Sequence, residues 1–136
     1  MTKLRFWLQL LFWLAFAGWF ALLVRPEFRD ESAALARIDP GLPYLVAKGL
    51  HASVYAALGL GAAALFRRRW WALAAVAAHA VLSEVCQYWG NVWFATGRHG
   101  CAEDVLLDWC GSAAGVGVWW LTRRVWRARP PARPSL

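Results

Sequence analysis

Four apolar stretches, each close to the length that crosses a bilayer, take up most of this chain: Leu4 to Val24, Leu45 to Phe66, Trp70 to Trp89 and Val105 to Leu121. A helix rises about 1.5 Å per residue and the hydrocarbon core is roughly 30 Å thick, so about 20 residues span it. With 60% hydrophobic residues and eleven Trp among 136, the chain is too apolar for a soluble domain of its size. The expectation is an all-α membrane protein with four transmembrane helices at about 4–24, 45–66, 70–89 and 105–121. They form a single domain over 1–128, followed by a disordered, basic, Pro-rich tail at 129–136. Lys3 and Arg5 precede the first stretch as they would in a signal peptide. Its length, and the lack of a small-x-small pattern around Arg25-Pro26, read instead as a retained helix.

Charge orients these segments. Lys3 and Arg5 precede the first stretch, Arg67, Arg68 and Arg69 separate the second from the third, and Arg123, Arg124, Arg127, Arg129 and Arg133 follow the fourth. No acid lies among them. All eight acids, Glu27, Asp30, Glu31, Asp39, Glu84, Glu103, Asp104 and Asp108, fall on or toward the other side. The positive-inside rule then puts both termini in the cytoplasm. The net charge of +7 is explained by a basic face on anionic lipid, with no nucleic-acid partner.

Prolines 26, 40 and 43 break the first external loop, Arg25 to Tyr44, which reads as a solvated connector. Gly90 to Glu103 reads as a second external loop whose aromatics suit the interface, and the tight turn Arg67–Arg69 as the link of a helical hairpin. Cys86, Cys101 and Cys110 lie toward the external side, where a disulfide could persist. Cys86 and Cys110 read as small packing residues.

Polar residues inside the apolar runs are the functional candidates, because ionisable groups at membrane depth are costly. From the cytoplasmic arginines outward, Arg67 to His51 is 16 residues, while Arg69 to Glu84 and Arg123 to Asp108 are 15 each. Those counts correspond to roughly 22 to 24 Å, one level near the outer boundary. Helical spacing gives each helix one polar face: Lys48, His51 and Tyr55; Glu84 and Gln87; Asp104, Asp108, Gly111 and Gly115. These faces are expected to turn inward, with Arg98 folding over them from the loop. His51, Glu84, Asp104 and Asp108 are the candidate acid–base residues, and Lys48, Tyr55, Gln87 and Arg98 the candidate ligand-binding residues. The same His and carboxylates also suit a divalent ion. With no HExxH or paired-Cys spacing, no metal site and no cofactor is assigned. His79, about 140° around its helix from Glu84, reads as a packing or interhelical hydrogen-bonding residue.

The pattern Lys48-x-x-His51-x-x-x-Tyr55, Glu84-x-x-Gln87, Gly97-Arg98 and Asp104-x-x-x-Asp108-x-x-Gly111-x-x-x-Gly115 resembles the VanZ-like family of small bacterial membrane proteins, over roughly Leu45 to Trp120. Two positions depart from the family: Ala47 stands where Asp is frequent, and Asp108 where Asn is usual. The resemblance implies a cell-envelope protein of the inner membrane, in a family whose founding member is associated with resistance to the glycopeptide teicoplanin. The expected function is binding or modification of an anionic envelope lipid or peptidoglycan-precursor head group in an outward-facing pocket. Two alternatives stand beside it: a membrane-embedded acid–base or metal-assisted enzyme, and a scaffold for a partner membrane protein. Oligomeric state is left open.

Overall fold

The computed structural model describes residues 2–25, 41–94 and 100–128. Among these the chain is helical, with no strand: α1 is Lys3–Val24, α2 Leu42–Leu65, α3 Arg69–Phe94 and α4 Ala102–Ala128. Residues 26–40 of the expected Arg25 to Tyr44 connector, the tail at 129–136 and Arg98 lie outside the described residues, while Leu42 to Tyr44 of that connector are already helix.

Helix ends exceed the apolar stretches where the backbone has reason to continue. α2 starts at Leu42 because Pro43, in the first turn, gives up an N–H that has no intrahelical partner there. α3 runs on through Gly90 to Phe94, so the first five residues of the expected second external loop are helix. Backbone hydrogen bonding does not depend on side-chain apolarity, so a helix need not stop where an apolar run does. α4 continues through Arg123, Arg124 and Arg127 for the same reason. Glu103 and Asp104 in its first turn and Arg127 in its last complement its dipole.

Contacts fix the directions. Lys48 meets Asp104 and His51 meets Asp108, so α2 and α4 run parallel. Tyr55 meets His79 and Arg5 meets Leu65, so α3 and α1 run against α2. The bundle is therefore up-down-up-down, with Arg5, Arg67, Arg69 and Arg123 together around a cavity of about 360 Å³ at one end.

The α2–α4 seam is the closest packing in the bundle. A Cβ on Gly111 would lie 2.5 Å from the Ala52 carbonyl oxygen, one on Gly115 would strike the Ala56 carbonyl, and one on Gly59 the backbone of Ser112. Small residues on both faces let the backbones meet. By contrast α1 buries only Phe12 and Leu23. Its base is latched to α2: Arg5 donates from Nε and Nη2 to the Leu65 carbonyl at 3.0 and 2.8 Å, and Gln9 Nε2 donates to it at 2.9 Å. A C-terminal helix carbonyl lacks an intrahelical donor, and a cation there also meets the negative end of the dipole. Phe12, Trp13, Phe16 and Phe66 pack edge-to-face or tilted above the latch.

The distribution of polarity is inverted. His51, His79, Ser83, Glu84, Gln87 and Asp108 are buried, whereas Trp7, Leu11, Leu14, Leu45, Leu82 and Trp109 face outward. Such an exterior is unfavourable in water over so large an area. By length and apolarity, α1 and α2 are each sufficient to cross a membrane. α3 and α4 fall below that measure because α3 carries His79, Ser83, Glu84 and Gln87, and α4 carries three acids and three arginines.

Cys86, Cys101 and Cys110 are unpaired. Cys86 is half-buried but Cys110 is exposed, contrary to its expected packing role. Two residues past Asp108, it lies about 200° around α4 from the buried face.

Because the obstacles at Gly115 are backbone atoms, Gly115→Ala is expected to destabilise the bundle by about 1–3 kcal/mol. Gly117→Ala, with no atom within 4 Å of its new methyl, is expected to be neutral or mildly stabilising. Unfolding of the purified variants in detergent compares the two.

Candidate functional site

Three rungs of polar contacts climb the seam toward the end opposite the arginines. The deepest joins three helices. His79 Nε2 lies 3.1 Å from the Phe16 carbonyl oxygen, which can only accept, so Nε2 carries the proton. Nδ1 is then an acceptor, and the buried Tyr55 hydroxyl donates to it at 2.7 Å. His79 thus bonds between helices as its angular position implied, and Tyr55 is fixed below the rest of the site.

The second rung is His51 with Asp108. His51 Nδ1 lies 3.1 Å from Asp108 Oδ1, and Asp108 is 0% exposed. An ionised carboxylate accepts, so Nδ1 is the nitrogen that donates to Asp108. The third rung, nearest the surface, is the ion pair between Lys48 and Asp104, both half-buried. Parallel helices spaced by small residues make this ladder possible. Lys48 and His51 are three apart on α2, Asp104 and Asp108 four apart on α4, and all project into one seam.

α3 supplies Glu84 from the third side. Its Oε2 accepts from the Cys101 backbone N–H at 2.9 Å, and its Oε1 from Gln87 Nε2 at 3.3 Å. Gly100 brings the chain entering α4 this close, since a Cβ there would strike the Glu84 carbonyl and approach Tyr88. One ligand atom each from His51, Glu84 and Asp108 lies within 4.8 Å of the others.

Proton bookkeeping isolates one atom. Tyr55 is near Asp108, but its only hydroxyl proton goes to His79, and Ser83 Oγ donates at 3.0 Å to the Ala80 carbonyl. Asp108 Oδ2 is buried without a hydrogen-bond partner among the described residues, as are Trp19 Nε1 and Ser112 Oγ.

Two openings reach this cluster. One, of about 190 Å³ between α1 and α2, is lined by Trp19, Leu22, Leu23, Arg25, Leu50 and His51. The other, of about 240 Å³, lies between α3 and the start of α4 and includes Glu84, Tyr88, Trp89 and Cys101.

The structure therefore brings together Lys48 with Asp104, His51 with Asp108 and Glu84, and Glu84 with Gln87. Sequence reasoning omitted α1, whose Trp19 ring stands edge-on to His51 at 5.8 Å. Trp19 is 14 residues outward from Arg5, so the same depth count could have found it. The Cys101 N–H has no side-chain signature, although the preceding Gly100 is a signal of close backbone approach.

A sequence model of the VanZ/LLP1 family matches residues 4–123. The chain belongs to the VanZ/LLP1 family. The match takes in α1 as well as the three helices that carry the ladder, so the family pattern extends beyond the Leu45 to Trp120 resemblance. VanZ/LLP1 membership and the two long apolar helices together point to a membrane protein. No curated protein and no solved structure matches the chain.

For the deepest rung, a double-mutant cycle with Tyr55→Phe and His79→Phe is expected to give a coupling of about 0.6 to 1.7 kcal/mol in detergent or bicelle unfolding. Additive effects would mean that the 2.7 Å contact contributes nothing measurable.

Proposed function

We propose that this VanZ/LLP1 chain crosses the bacterial inner membrane four times, with residues 1–128 as one domain and both termini cytoplasmic. At the outer end, its polar pocket binds or modifies an anionic envelope lipid or peptidoglycan precursor. The carrying observation is the segregation of chemistry along an apolar-surfaced bundle. Arg5, Arg67, Arg69 and Arg123 gather at one end, and Lys48, His51, Glu84, Asp104 and Asp108 at the other. At the basic end Arg69 and Arg123 also stack on Trp119 and Arg124 on Trp120, an arrangement suited to anionic headgroups of the inner leaflet.

At the other end, the α1–α2 cavity has apolar walls, Arg25 at its rim and His51 on its lining. That combination suits an amphiphile with an anionic head. Lys48, half-buried beside Asp104, sits above His51 on the same helix face, and Arg98 follows α3 in sequence. A link to glycopeptide resistance fits a protein that engages such an envelope component.

The His51–Asp108 pair supports a second reading, acid–base catalysis, because a carboxylate on Nδ1 orients the ring. Glu84→Gln, His51→Ala and Arg98→Ala are all expected to accumulate in the membrane. Under the binding reading Arg98→Ala loses at least about tenfold in retention of anionic lipid, measured by native mass spectrometry from nanodiscs, whereas Glu84→Gln keeps it. The opposite pattern, together with loss of turnover in Glu84→Gln, favours the enzyme. Cysteine labelling at position 98 is expected only from outside the cell and at position 124 only from inside. Labelling of position 98 from the cytoplasm overturns the topology.

A further inference from the structure

We propose that His51, Glu84 and Asp108 form a binding site for one divalent transition-metal ion, with Zn²⁺ and Mn²⁺ as the fitting ions. This inference rests on the three side chains themselves and stands apart from the lipid reading above.

Three helices supply one imidazole and two carboxylates whose ligand atoms lie within 4.8 Å of one another, all on buried residues. Metal–ligand bonds of about 2.0 to 2.2 Å place atoms bound to a common ion at most about 4.4 Å apart, so small rotamer adjustments close the set. A mixed nitrogen and carboxylate set suits Zn²⁺ or Mn²⁺ better than the all-oxygen preference of Ca²⁺.

Charge balance gives the second argument. Lys48 is paired with Asp104, so its charge is already matched one turn above the deeper cluster. Among the described residues Glu84 receives the neutral donors Cys101 N–H and Gln87 Nε2. Among the described residues Asp108 receives one bond from His51, and its buried Oδ2 has no hydrogen-bond partner. The hydroxyl protons of Tyr55 and Ser83 are already directed to His79 and Ala80. Among the described residues neither carboxylate is paired with a lysine or arginine, and a divalent ion matches their combined charge of −2.

Chain order supports the assignment of ligands. Asp104, one turn before Asp108, would be a fourth candidate by sequence, but its bond to Lys48 withdraws it. Three protein ligands leave a coordination position open, as in sites that take a water or a ligand oxygen.

Tag-free full-length protein in nanodiscs, dialysed against EDTA and then against micromolar Zn²⁺ or Mn²⁺, is expected to retain about one equivalent by mass spectrometry of its metal content. Its melting temperature is expected to rise on metal addition. His51→Ala, Glu84→Gln and Asp108→Asn are each expected to weaken binding at least about tenfold, while Asp104→Asn keeps the equivalent. If a variant fails to fold, the metal content and melting shift of the unmodified chain still decide. Absence of a bound equivalent in the unmodified chain overturns the proposal, as does undiminished binding in folded variants of all three ligands.

Discussion

The close approach of α2 and α4 is the constraint on which the rest depends. Where Gly111 and Gly115 meet Ala52 and Ala56, no side chain separates the backbones, and the two helices are locked in a parallel register. That register sets Asp104 opposite Lys48 and Asp108 opposite His51. A shift by one residue would rotate each partner about 100° around its helix and break both rungs together. Packing and polar chemistry are therefore specified by the same few small residues. Small residues on both faces let shape complementarity hold this seam.

The other helices play unequal parts. α3 closes the polar seam, contributing Glu84 toward the end opposite the arginines and His79 deeper in. α1 is joined mainly through aromatic packing, the Leu65 latch and the Phe16 carbonyl. Its C-terminal half leaves the cavity beside His51, so access to the buried cluster runs along the helix that buries only Phe12 and Leu23.

Depth was the legible part of the site. Counting from arginines put His51, Glu84 and Asp108 at one level, and their ligand atoms do converge. Helical spacing also gave the correct buried faces, because a 3.6-residue period leaves little freedom once lipid surrounds the bundle. Pairing was not legible: nothing in the sequence says that Asp104 goes to Lys48 and Asp108 to His51, since that choice follows from the α2–α4 register. The helix limits at Phe94 and Ala128 were missed because apolarity stops at the interface while hydrogen bonding continues. Trp19 was missed because an aromatic residue in an apolar run carries no polar signal. Cys110 was misjudged by treating a small residue as interior without placing it on the wheel.

The ladder joins helices that are not neighbours in the chain, and this bears on assembly. Lys48 and His51 find their partners 56 and 57 residues later. At synthesis rates of about 5 to 20 residues per second, those partners are made roughly 3 to 11 seconds after α2. For a chain inserted helix by helix, α2 and α3 first meet as a hairpin whose cation and imidazole have no carboxylate from α4. The arrival of α4 supplies both acids and the glycine surface at once, so the site forms only when the last helix joins the others.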